Sequence, residues 1–241
     1  MPKIQRIVIP LYLDFDILDV CGPLAMFGSV AGETGIAPVL ATAVPGVVRC
    51  LQGVGLEVGL ALPALSATDA LWVPGGFGTG FNEQISATAP TTQWLAKEGP
   101  QAGYVCSVCT GSLILAAAGL LDGYTVTTHW LFQQSLAMFP RVRLASGLPR
   151  YWMDRNRLTG GGVSSGLDAS LALIATIASS TAAMHAQLLN QYAPDPPFRC
   201  GSPLTAPPDV LGSFFQNFGD GAGALEQVVA AFLRAKARAE A

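Results

Sequence analysis

Cys109 stands where a run of buried-strand character, residues 104–108, gives way to a helix rich in Ala and Leu from about Thr110. A strand that becomes a helix within one residue strains that residue, and such strain persists where it serves a function. The turn points the thiol up out of a sheet. Thr110, Gly111 and Ser112 add small side chains and free backbone N–H groups at the helix start, where an anion meets the positive end of the helix dipole. A thiol so placed is expected to ionise readily, since helix N-termini help bring thiol pKa values down to roughly 3.5–7.5. The pattern reads as a thiolate nucleophile. The plainer alternative is one more buried Cys acting as a small hydrophobe.

Three other places carry chemistry. Gly75-Gly76-Phe77, opening GGFGTG, could offer backbone N–H groups to a developing negative charge, because Gly lets the chain come close. It could equally be an ordinary Gly-rich turn. It is not a phosphate loop: no Lys-Ser/Thr follows and no GxGxxG opens a helix. Asp19 is the candidate acid or base; its alternative is an N-cap for a helix starting near Pro23. Facing a thiolate, its carboxyl would feel like-charge repulsion and desolvation, both of which raise its pKa. It could then share a proton with the sulfur or hand one to a substrate. His129, in TTHW at a strand end, is the other possible base. A Cys–His pair would imply acyl transfer, as in a protease, amidase or amidotransferase, against a structural role for the ring. Cys106 lies inside the strand, on the face opposite Cys109, so a redox dithiol is discounted. His185 is alone on an Ala-rich helix, and no residue cluster has metal-ligand spacing.

The elements that must position these residues alternate. Strands are read at 4–12, 35–43, 70–74, 104–108, 124–128, 142–144, 150–154 and 157–159, with a short hairpin over 47–62. Pro23 just inside a helix start marks one helix, with Asp19 just before it. Further helices are read at 90–98, from 110, at 131–139, and as one long helix from Ser165 to about Tyr192. Residues 193–210 are Pro-rich and extended with no core of their own, and an amphipathic helix closes the chain at about 224–240. This order predicts an α/β fold with a mostly parallel sheet covered by helices on both faces. Sites in such sheets form beyond the carboxyl ends of the strands, which gathers Asp19, the GGFGTG loop and Cys109.

The chain has 241 residues, 51% apolar and only 12% charged, about half the usual charged share of roughly 25%. One α/β unit over 1–241, with its core at about 4–192, accommodates that content. The sparse charge predicts an oligomer with an apolar interface. A net charge of −3 without a basic run makes nucleic acid an unexpected partner. No apolar run approaches the ~18 residues of a membrane span. No signal-peptide pattern precedes the first strand, and five cysteines is an odd number. A cytoplasmic protein with reduced thiols is expected.

Taken together, SVCTGSLILAAAGLLDGYTVTTHW, LDVCGP, VPGGFGTG, LTGGGVSSGLDASLAL and QYAPDPPFRCGSP resemble the ThiJ/PfpI superfamily. Its fold is flavodoxin-like, of the class I glutamine amidotransferase type, and the likeness within it is to the bacterial isocyanide hydratases. The likeness runs from about residue 4 to 208. It implies a cofactor-free and metal-free homodimeric lyase that adds water to R–NC. It implies that Cys109 is the catalytic cysteine and Asp19 the catalytic carboxylate. In support, Thr110 is the hydroxyl beside the cysteine, Gly76 lines the oxyanion side, and the N–H of Val163 helps hold the thiolate. Cys21 departs from the pattern, since the hydratases carry Thr there. Two alternatives remain: an amidase or protease-like hydrolase using Cys109 and His129, and a non-enzymatic thiol sensor or binding domain. The latter occur fused to DNA-binding helices, and no helix-turn-helix pattern follows residue 210.

Overall fold

The computed structural model describes residues 2–239. The elements run β1 (Arg6–Leu11), α1 (Ile17–Ser29), α2 (Ala31–Thr34), β2 (Ala37–Thr42), β3 (Gly46–Arg49), β4 (Gly55–Val58), β5 (Asp69–Val73), α3 (Thr79–Gln84) and α4 (Pro90–Glu98). They continue β6 (Tyr104–Ser107), α5 (Gly111–Ala117), β7 (Thr125–Val126), α6 (Gln133–Ala137), β8 (Arg143–Leu144), β9 (Tyr151–Asp154) and β10 (Arg157–Gly160). Four helices follow: α7 (Ser165–Ile177), α8 (Ser180–Leu189), α9 (Pro208–Phe218) and α10 (Asp220–Ala239).

Six strands form one sheet in the order β2-β1-β5-β6-β10-β9, parallel except for β9. β5 and β6 are buried at every position, as the apolar runs ALWV and YVC require of strands covered on both faces. Helices flank the sheet: α1, α7 and α8 pack together, and α4, α5, α6 and α10 form a chain of contacts of their own. β3 and β4 make the expected antiparallel hairpin. Among the described residues no helix is long and apolar enough to cross a membrane.

Four expectations need correction. α1 does not start near Pro23. It starts at Ile17, capped by Asp16, whose carboxylate accepts the Leu18 N–H at 2.9 Å, so Pro23 lies inside the helix and Asp19 in its first turn. The strand expected at 124–128 shrinks to β7, paired with β8 outside the main sheet, because the Thr127 N–H bonds the Thr159 hydroxyl at 2.8 Å instead of a neighbouring strand. The long helix from 165 breaks after Ile177. Ser179 is extended there (φ −163°, ψ 158°), and its hydroxyl accepts the Ala182 N–H and caps a new helix. Finally, the Pro-rich segment ends earlier than expected, because Pro207 and Pro208 open α9.

Candidate active site

The elbow begins where β6 ends. Cys109 has φ +55°, a left-handed conformation that a non-glycine residue adopts at a cost. Contacts on all sides hold it there. Its N–H donates to Gly161 O at 2.7 Å, and its carbonyl accepts the Thr128 hydroxyl at 2.9 Å. Beside it the Val108 N–H donates to Val73 O and the Gly111 N–H to Val108 O. Gly111 is obligatory: a Cβ there would sit 2.3 Å from Val73 O. Cys109 itself is 7% exposed and opens onto a cavity of about 240 Å³.

Asp19 reaches the elbow from α1. Pro23, four residues on, has no N–H to give the Asp19 carbonyl. The buried indole of Trp72 fills that vacancy, with Nε1 donating to Asp19 O at 3.1 Å. The helix turn carrying the carboxyl is thus tied to β5. Carboxylate Oδ2 accepts the Gly75 N–H at 2.7 Å, whereas Oδ1 is buried without a hydrogen-bond partner. A Cβ on Gly75 would meet both the Thr110 N at 2.7 Å and Asp19 Oδ2 at 2.8 Å, so elbow and carboxyl converge on this glycine.

The electrostatics correct one expectation. Burial pushes the Asp19 carboxyl well above the usual carboxylate range, and the Asp16 charge adds to this against the Gly75 N–H. Burial, then the Asp19 charge, push the Cys109 thiol up as well, against the Thr110 N–H. The helix start favours a thiolate, but desolvation outweighs it. Each charge disfavours the other, so the pair keeps at least one proton at neutral pH. The site holds a protonatable carboxyl beside a thiol rather than a freely ionised sulfur.

The glycine loop is also corrected. The Gly75 N–H is taken by Asp19, the Gly76 N–H by Thr110 Oγ1 at 2.9 Å, and the Phe77 N–H by Asp14 O. Thr110 Oγ1 donates back to Gly76 O at 2.8 Å. Gly76 and Thr110 therefore clamp the loop to the elbow, and the N–H groups of Gly75, Gly76 and Phe77 are not free for an oxyanion. Val163 lines the same cavity as Cys109. His129 lines it too, but its Nδ1 accepts the Leu131 N–H at 3.2 Å, and burial pushes its pKa down to about 4. No hydrogen bond joins it to Cys109 among the described residues. Cys21, on α1, does not line the cavity, and Cys106 is a buried thiol that burial pushes up to about 12. All five cysteines are unpaired, and among the described residues no His, Cys, Asp and Glu group is placed to hold a metal.

Sequence reading missed several contributors. Tyr12 donates to Pro74 O at 2.6 Å and so fixes the approach to Gly75. Thr128 holds the elbow carbonyl. Phe132, Phe214 and Phe218 wall the cavity with Phe77, whereas Trp72 is core. The signal for the last two was present: Leu211, Phe214, Phe215 and Phe218 have helical spacing after Pro207-Pro208.

Comparison with known proteins agrees with this fold. The DJ-1/PfpI family matches residues 5–176. An isonitrile hydratase of Pseudomonas putida is 36% identical over 194 residues, 80% of this chain and 81% of that protein. An HTH-type transcriptional regulator of Pseudomonas aeruginosa, GbdR, is 38% identical over 109 residues, 45% of this chain but 28% of the regulator. The crystal structure of a ThiJ/PfpI family protein from Pseudomonas syringae superposes with a TM-score of 0.83 at 33% identity, covering 94% of this chain and 90% of that one.

Proposed function

The chain belongs to the DJ-1/PfpI family, and on that premise we propose that it hydrates an isonitrile (R–NC) to the N-substituted formamide. The observation that carries the reading is the pairing of the strained Cys109 with the buried Asp19 carboxyl, two groups that hold a proton between them. Sulfur attacks the terminal carbon of R–NC, and the proton reaches that carbon through Asp19, giving R–N=CH–S-Cys109. Asp19 then takes a proton from water as the water adds to the same carbon. Nitrogen is protonated, the C–S bond breaks, and R–NH–CHO leaves with the thiol restored. Covalent catalysis divides one hard addition into two easier ones.

The mainly apolar cavity suits an apolar R group. The likeness to the isonitrile hydratase supports the reading. Acyl transfer fits less well: it needs a base on the sulfur and free oxyanion donors, whereas His129 bonds Leu131 and the glycine-loop N–H groups are engaged. The cytoplasmic homodimer is part of the same proposal.

The test is turnover of cyclohexyl isocyanide, followed by formamide appearance. Cys109→Ala is expected to abolish it. Asp19→Asn is expected to slow it about 10²–10⁴-fold, the usual worth of general acid–base catalysis. Measurable turnover is expected in His129→Ala. Turnover that survives Cys109→Ala would falsify the reading, and a thiol-sensing role akin to the regulators would gain.

A further inference from the structure

The cavity wall farthest along the chain from Cys109 is built by α9, which lies beyond residues 5–176, the stretch that the DJ-1/PfpI family matches. Phe214 and Phe218 are four residues apart, so they share one face of that helix. Both line the cavity. Their rings lie 5.1 Å apart, and the Phe214 ring is 5.3 Å from Trp130, which anchors α9 beside the site. On the other side Phe77 and Phe132 pack at 5.2 Å. Gly221 of α10 lets the Phe77 ring stay close, since a Cβ there would sit 2.8 Å from it. Four phenylalanines thus enclose the space above the sulfur. Its volume, about 240 Å³, falls below the ~300–1,000 Å³ of pockets for drug-sized ligands. It matches one ring better than two.

We propose that Phe214 and Phe218 determine which R group this site accepts, selecting a single apolar ring over a methyl-sized or two-ring substituent. The inference rests on the isonitrile reading for its substrate class. The wall itself is a property of α9 and stands on geometry. Phe218, 62% exposed, forms the rim, and Phe214 lies deeper. α9 buries no residue completely, so trimming either ring leaves the sheet and elbow intact.

The experiment compares wild type, Phe214→Ala and Phe218→Ala with methyl, cyclohexyl and 2-naphthyl isocyanide. Losing a ring from an apolar pocket shifts selectivity by at least as much as losing a methylene, about tenfold or more. The kcat/KM ratio of cyclohexyl to methyl is expected to fall by that factor, and the ratio of naphthyl to cyclohexyl to rise. Circular dichroism and Tm establish that each variant is folded. If Phe214→Ala does not fold, the rim variant Phe218→Ala decides. Ratios within about twofold of wild type overturn the proposal. A second readout, alkylation of Cys109 by iodoacetamide against 2-iodo-N-phenylacetamide, needs no turnover. If wild type hydrates none of the isocyanides, the hydratase reading falls, and the alkylation ratio alone judges the wall. A changed ratio in the variants upholds it, and an unchanged one removes it.

Discussion

Asp19 is a carboxyl held where water cannot reach it, with one oxygen satisfied by Gly75 and the other unpaired. That arrangement costs stability whenever the group is charged, which gives the chemistry a thermodynamic signature. Burial raises the folded-state pKa above the ordinary 3.8, so the folded protein keeps this proton to higher pH than the unfolded chain does. The stabilising contribution is therefore full below about pH 3.8 and is lost as pH climbs through the folded value. Asp19→Asn cannot ionise, and its Oδ1 still accepts the Gly75 N–H. The Tm of the variant minus that of wild type is expected to grow as pH rises from 4 to 8, while the proposed hydratase activity collapses. A difference that stays flat across this range would show that no buried, proton-holding carboxyl exists at position 19. The variant gaining stability as it loses activity is the trade expected of a strained site.

At the scale of elements, α1 is notable for a proline in its middle whose cost is met from the sheet. Pro23 frees the Asp19 carbonyl and Trp72 occupies it. Trp72→Phe leaves that carbonyl buried without a donor, a loss of about 1–3 kcal/mol in chemical unfolding. Because the same turn aims the carboxyl, kcat is expected to fall more than KM rises. Pro23→Ala returns an N–H to the helix ladder, so the double variant should regain part of the loss. Strictly additive single and double variants would sever the proposed link between the two residues. This element also shows what the sequence conceals. The central strands were legible because parallel strands buried on both faces read as continuous apolar runs, and the elbow because strand character gives way to helix character at Cys109, although three residues, 108–110, separate β6 from α5. Asp19 was legible as a residue but misplaced, since Pro23 resembled a first-turn proline while the true cap, Asp16, lay seven residues earlier. The engaged N–H groups of Gly75 and Gly76 were not legible, because their partners, Asp19 and Thr110, are 56 and 34 residues away. α9 was overlooked because its prolines masked a short apolar helix behind them.

For the molecule as a whole, the carboxyl edge of the sheet collects the loop after β1, the glycine loop after β5, the elbow after β6 and the turn after β10, and α9 closes over them. His129 sits where these parts meet. It lines the cavity beside Cys109 and Val163, and a Cβ on Gly162 would sit 2.8 Å from its ring. Its ring nitrogen Nδ1 accepts the Leu131 N–H, which requires the neutral form. Burial lowers the folded pKa to about 4 from an ordinary 6.5. The sign is opposite to that of Asp19: the unfolded chain takes up the proton first as pH falls. Stability linked to His129 is full above about pH 6.5 and is lost down to about pH 4, at a rate of 1.36 kcal/mol per pKa unit of difference, so roughly 3 kcal/mol at most. Carboxylates in surface ion pairs act mainly at lower pH, and a variant comparison separates the two. His129→Asn offers an oxygen to the Leu131 N–H and carries no titrating group. Asp19, whose linkage has the opposite sign, is present in both proteins and cancels in the difference, so the unfolding free energy of the variant minus that of wild type should grow as pH falls from 6.5 to 4.5. If that difference stays flat over the window, the ring is open to water in the folded state and any acid sensitivity arises elsewhere. If it grows, the apolar wall that His129 shares with Cys109 keeps the ring neutral in the folded state and makes it a source of acid sensitivity.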